Sequence, residues 1–130
     1  MYKTLCSVVV GVVLAGSLGC AWISRQSAPS AGTGPVGATV TIENGAVTPK
    51  TVSIHPGQLV TFVNKDAKEH QMFSNPHPVH TDCRPMNAVG KLTPGQSRNT
   101  ALFQDVKNCG FHDHGDHDNA ALQGTISVAN

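Results

Sequence analysis

The chain is poor in charge and poor in aromatic rings. Of its 130 residues, 13% are Asp, Glu, Lys or Arg and 5% are Phe, Trp or Tyr, with a formal charge of +1. Such a balance offers no basic face for nucleic acid, whose phosphates demand one. No window holds a helical period of 3.6 across ten residues, which argues against a helical fold. No apolar run reaches the roughly 20 residues that a bilayer-spanning helix needs. The length suits one domain.

What is present divides into three stretches. Lys3 precedes an apolar run from Leu5 to Leu18 that closes on Ser17-Leu18-Gly19-Cys20. A basic start, a compact apolar run and small residues before a cut describe a secretory signal. Leu18-Gly19-Cys20 resembles the bacterial lipobox, in which Cys20 would carry lipid and become the first mature residue. Ser17 stands where that pattern usually has leucine; ordinary cleavage or an uncleaved anchor are the alternatives. Residues 1–19 are therefore expected to be a signal peptide of lipoprotein type. The protein is expected in a bacterial cell envelope, held to a membrane facing the periplasm or the exterior. Residues 20–38 are nearly all Ser, Ala, Gly, Pro and Thr, with Arg25 the only charge. That composition cannot bury enough apolar surface to fold and reads as a flexible tether.

Residues 39–130 carry strand signals. Thr39–Glu43 and Thr51–His55 alternate apolar and polar, and Pro56-Gly57 turns into Gln58–Asn64. Ser97–Val106 follows the turn Thr93-Pro94-Gly95-Gln96, and Gly124–Val128 closes the chain. Short alternating strands with Pro/Gly turns predict an all-β fold, an antiparallel sandwich or barrel. Two long loops, Lys65–Gly90 and His112–Gln123, interrupt it, and long loops in small domains usually carry function. Six of the seven histidines lie in or beside them: His70, His77, His80, His112, His114 and His117. Neutral imidazole suits copper, zinc, nickel and iron, and a β-scaffold can hold it rigidly. The set points to a metal site, although a solvated loop histidine is the ordinary reading of any single one. His55, at a strand end before a turn, reads as a surface residue.

Val52-Ser53-Ile54-His55-Pro56-Gly57, then Val60-Thr61-Phe62-Val63-Asn64-Lys65-Asp66 and His70, together with Gly110-Phe111-His112-Asp113-His114 before Leu122-Gln123-Gly124, resemble the cupredoxin family. These are small copper-binding Greek-key β-sandwiches, and the likeness spans the whole folded part. In that family the histidine after the asparagine is the first copper ligand, which the resemblance places on His70. The family's ligand cysteine, two residues after an aromatic, maps onto Asp113, and its axial methionine onto Leu122, so neither sulfur ligand is present. His114 or His117 can fill the place of the second histidine. His-rich relatives with a Ser-x-Pro-His-Pro-x-His-Thr loop and a His-Asp-His turn match best, here Ser74–Thr81 and His112–His114.

After processing, Cys83 and Cys109 remain, and two cysteines in an exported domain most often pair. A bridge closing a loop of roughly 25 residues is worth about 3 kcal/mol on a chain-entropy estimate. The alternative makes Cys109-Gly110-Phe111-His112 a Cys-x-x-His copper clamp.

The expected site is one copper ion, with zinc as the alternative, on His70 and histidines of the 112–117 turn, namely His112, His114 and His117, with His80 as a further ligand. The expected role is non-enzymatic sequestration or delivery of copper outside the cytoplasm, with the membrane held through the lipid. One-electron transfer to a redox partner is the alternative if Cys109 ligates. A superoxide dismutase-like enzyme is a third reading, because Gly110-Phe111-His112-Asp113-His114 resembles a segment of the copper–zinc enzymes.

Overall fold

Residues 32–130 are described by a computed structural model. The stretch read as a signal peptide, Cys20 and the first part of the stretch read as a tether lie outside the described residues. Nine strands follow one another: β1 (Val36–Glu43), β2 (Ala46–Thr48), β3 (Thr51–Ile54), β4 (Leu59–Asn64), β5 (His70–Ser74), β6 (Gly90–Leu92), β7 (Ser97–Asn99), β8 (Lys107–Asp113) and β9 (Gly124–Val128). They form two sheets, ordered β2-β1-β4-β7 and β3-β9-β8-β5-β6. The only helical pieces among the described residues are short 3-10 turns at Arg84–Ala88, His114–Asp116 and Ala120–Leu122.

Alternating residues supply the core. Val40 and Ile42 of β1, Phe62 of β4, Met72 of β5, Phe111 of β8 and Ile126 of β9 turn inward and are essentially buried. Phe62 and Phe111 meet edge to face across the sandwich, 5.2 Å apart at 88°. Each such ring removed from water contributes roughly 1.5–3 kcal/mol. Leu122 is part of this core as well.

Four details depart from the sequence expectation. The sheets are mixed, because β1 pairs with β4 and β3 with β9 in parallel. The chain crosses between the sheets before returning beside its earlier strand, a connection that simple hairpins cannot make. The strand expected at Ser97–Val106 stops at Asn99, where Thr100 turns in and accepts a hydrogen bond from the backbone of Val60 through Oγ1 at 3.0 Å. The loop expected at Lys65–Gly90 contains β5, whose polar residues hide a strand alternation of buried and half-buried positions. In addition, β1 begins at Val36, within the stretch read as tether.

Cys83 and Cys109 form a disulfide with Cα atoms 5.6 Å apart. Both are buried. The bridge fastens the segment after β5, which carries His77 and His80, to β8, which carries His112.

Candidate metal centre

Strand parity determines which side of the sheet each titratable residue occupies. In the β5–β8 pair, Met72 faces Asp113 and Phe73 faces His112. Cross-strand partners share a face, and successive residues alternate. His70, Met72 and Asp113 therefore point into the sandwich, as do Cys109 and Phe111. Phe73, Gly110 and His112 point to the outer face, beneath the segment Asn75–Asp82. One residue's difference in position separates two chemistries.

On the outer face His77, His80, His112 and His114 each offer one ring nitrogen, and these four atoms lie within 4.8 Å of one another. Four nitrogens about 2.1 Å from an ion stand about 3.4 Å apart in a tetrahedron, or about 3.0–4.2 Å apart in a square. The set is thus already gathered to within small ring rotations of a closed site. His114 Nδ1 and His80 Nε2 are 3.2 Å apart. His112 Nε2 and His77 Nδ1 are buried with no hydrogen-bond partner among the described residues. A buried polar atom without a partner is costly and calls for an explanation. A metal ion bound among these rings would supply one.

Neighbouring residues orient these rings. His112 Nδ1 lies 2.8 Å from Asn75 Oδ1. The amide oxygen accepts that N–H, which leaves the lone pair on Nε2 turned toward the other histidines, the arrangement typical of a metal-bound imidazole. Asn75 itself fits only because residue 110 is glycine: a Cβ there would sit 2.3 Å from Asn75 Nδ2. His80 stands in the left-handed region, at φ 51°. Its carbonyl accepts from Asn87 Nδ2 at 2.8 Å, while Asn87 Oδ1 accepts from the backbone of Ser74 at 2.9 Å. Non-glycine residues held at positive φ concentrate at functional sites, where the surroundings over-determine them. Phe73 stacks on His80, centroids 4.7 Å apart, and meets His114 edge-on at 5.7 Å.

The same surroundings work against charge on three of these rings. Burial, followed by the neighbouring imidazoles, pushes His112 down to about 4. Burial and adjacent histidines also lower His77 and His80. Neutral imidazole is the form that coordinates a metal.

His70 is not brought into this group. Its ring is buried with Nδ1 2.6 Å from Asp113 Oδ2 and Nε2 3.0 Å from Asp66 Oδ2. Both nitrogens are engaged by these carboxylates rather than by the other histidines. Asp113 also accepts from the backbone N–H groups of Gln71 and Gly115 through Oδ1, at 3.1 Å each. Asp66 accepts from the backbone of Gly45 at 3.0 Å. Burial works against the Asp66 carboxylate, but the Gly45 amide and His70 outweigh it and hold its pKa below the usual carboxylate value. Asp113, where the resemblance to other cupredoxins places a cysteine, thus pairs with His70, where it places the first ligand histidine.

His117 lies outside the four as well. It is flat against His77, centroids 4.0 Å apart and planes 2° from parallel. Of the residues named from sequence, His80, His112 and His114 come together, His70 and His117 do not, and His77 completes the set. Asn75 and Asn87 escaped the sequence reading, since an asparagine in a Pro-rich loop looks like turn chemistry. His55 is exposed, with Nδ1 2.9 Å from the carbonyl of Ala129. Leu122 lies in the sandwich core.

No protein-family profile and no curated protein sequence matches the chain. Solved structures do. Amicyanin from Paracoccus versutus aligns over 72% of this chain and 81% of its own, at 18% identity and a TM-score of 0.57. A purple cupredoxin from Nitrosopumilus maritimus aligns over 71% and 99%, at 18% identity and a TM-score of 0.54. A copper-containing nitrite reductase from Thermus scotoductus aligns over 75% of this chain but 23% of its own, at 21% identity and a TM-score of 0.55.

Proposed function

We propose that this chain, a cupredoxin by fold, binds one copper ion through His77, His80, His112 and His114 and handles copper outside the cytoplasm, by sequestration or delivery. The observation that carries the reading is the convergence of four imidazole nitrogens, two of them buried and unpartnered. An all-nitrogen donor set suits Cu(II), which lies above zinc in the affinity order for such ligands. Electron transfer through a copper–thiolate bond is disfavoured, since the sulfur of Cys109 is committed to the disulfide. Export and the lipid anchor rest on Leu5–Leu18, Leu18-Gly19-Cys20 and the tether composition, and the disulfide agrees with an oxidising compartment.

The chain's own residues would do three things for the ion. His112, fixed by Asn75, presents a preset lone pair from the sheet. His77 and His80 close over it from the loop, and His114 comes from the turn after β8. The test is metal analysis and competition titration of the full chain with Cu(II) and Zn(II), compared with His77→Ala and His112→Ala. The reading expects one copper, a pale spectrum, a tetragonal Cu(II) resonance and at least a hundredfold weaker binding in each variant. An intense copper–thiolate band, or full affinity in both variants, refutes it. Cys20→Ser is expected to release the protein from the membrane fraction; unchanged association points to an uncleaved anchor.

A further inference from the structure

A closed four-imidazole site has a kinetic difficulty. An ion surrounded by four donors leaves slowly unless an incoming ligand replaces them one at a time. The ring best placed to do so is His117. It follows the turn that carries His114, its side chain is 44% exposed, and Nε2 lies 3.4 Å from the almost fully exposed carboxylate of Asp118. Its backbone carbonyl is pinned by Gln123 Nε2 at 2.7 Å, so the ring has a fixed base and a free end.

Its present pose rules out co-ligation with His77. Imidazole lone pairs lie in the ring plane, and these two rings are parallel at a centroid separation of 4.0 Å. An ion in the plane of one ring is too far above the other to approach it to about 2.1 Å. In this pose His117 stacks on His77 without sharing its ion, and a rotation of its half-exposed side chain would be needed to bring it to bear.

Resting on the copper reading above, we propose that His117 is the exchange ligand through which the ion enters and leaves, substituting for His77. The step is a ligand substitution. A nitrogen–metal bond would form at His117 as the bond to His77 broke, with the oxidation state of the metal unchanged. An exchange ligand alters the barrier and not the equilibrium, so loading and unloading slow by the same factor when it is removed.

The experiment measures Cu(II) transfer between the full chain and a chromogenic chelator by stopped flow, in both directions, with affinities from equilibrium competition. Wild type, His117→Ala and His77→Ala are compared, with far-UV circular dichroism as the folding control. His117→Ala is expected to keep its affinity within threefold and to slow both directions at least tenfold. His77→Ala is expected to lose affinity at least a hundredfold. Unchanged exchange rates in His117→Ala overturn the proposal, as does a loss of affinity equal to that of His77→Ala, which makes His117 a permanent ligand. A wild-type chain that takes up no copper overturns the centre itself, and this inference with it.

Discussion

Acidification of the metal-free protein is expected to destabilise it well above the range where carboxylates titrate. His112 is 3% exposed and its folded-state pKa is about 4, against the ordinary value of 6.5. Between those values the unfolded chain holds a proton that the native protein refuses, so stability falls as pH drops. The contribution is intact above pH 6.5, is lost progressively below it, and is fully lost below about 4. At pH 4.5 the two-pKa linkage gives a loss of about 2.5 kcal/mol from this one ring. His77 and His80 are shifted in the same direction and add to it. Small domains are stable by roughly 5–15 kcal/mol, so the loss is a large fraction of the whole. With an m value of about 1.5 kcal/mol/M, the urea midpoint should fall by about 1.7 M between pH 7.5 and 4.5. The assay is urea unfolding followed by far-UV circular dichroism across that range, on wild type and His112→Gln. The variant has no ring to titrate and should show a distinctly shallower pH dependence. Parallel curves for the two proteins would refute the assignment of the buried neutral imidazole.

Further outcomes follow from the same geometry. His70→Ala leaves Asp66 and Asp113 in place without their shared partner; breaking a buried pair in this way costs about 3–5 kcal/mol. Copper stoichiometry should remain one, and loss of the ion from a folded His70→Ala protein would make His70 a ligand. Gly110→Ala pushes a methyl group into Asn75 and frees the His112 ring; copper affinity should fall about 10–100-fold, as for other outer-shell partners, with little change in circular dichroism. Equal affinity by competition titration would show that Asn75 does not set the ring. Replacing Cys83 and Cys109 by Ser removes a bridge spanning 26 residues, which should lower stability by about 3 kcal/mol. It should also weaken copper binding, because His77 and His80 then lie on an unfastened loop.

Much of this was legible from residues alone. Alternation at Thr39–Glu43 and Thr51–Ile54, with turns at Pro56-Gly57 and Pro94-Gly95, announced a β-sandwich because a half-buried strand must alternate. Once Cys6 and Cys20 are assigned to the signal and the lipid, Cys83 has one possible partner within the chain. The gathering of histidines in and beside two loops pointed to a ligating cluster, and four of them do converge. Tertiary structure decided which of them meet. His70 and His112 both lie on strands of one sheet, and sequence distance cannot tell which face a strand residue occupies once bulges, registers and a parallel crossover intervene. The β5–β8 register placed Asp113 with the interior and His112 with the exterior. An inward imidazole beside two carboxylates becomes a buried pin. An outward one beneath a Pro-rich loop keeps a bare nitrogen aimed at three others. Local sequence determines that a residue can bind a metal; only the packing of distant segments determines whether its lone pair is left free to do so.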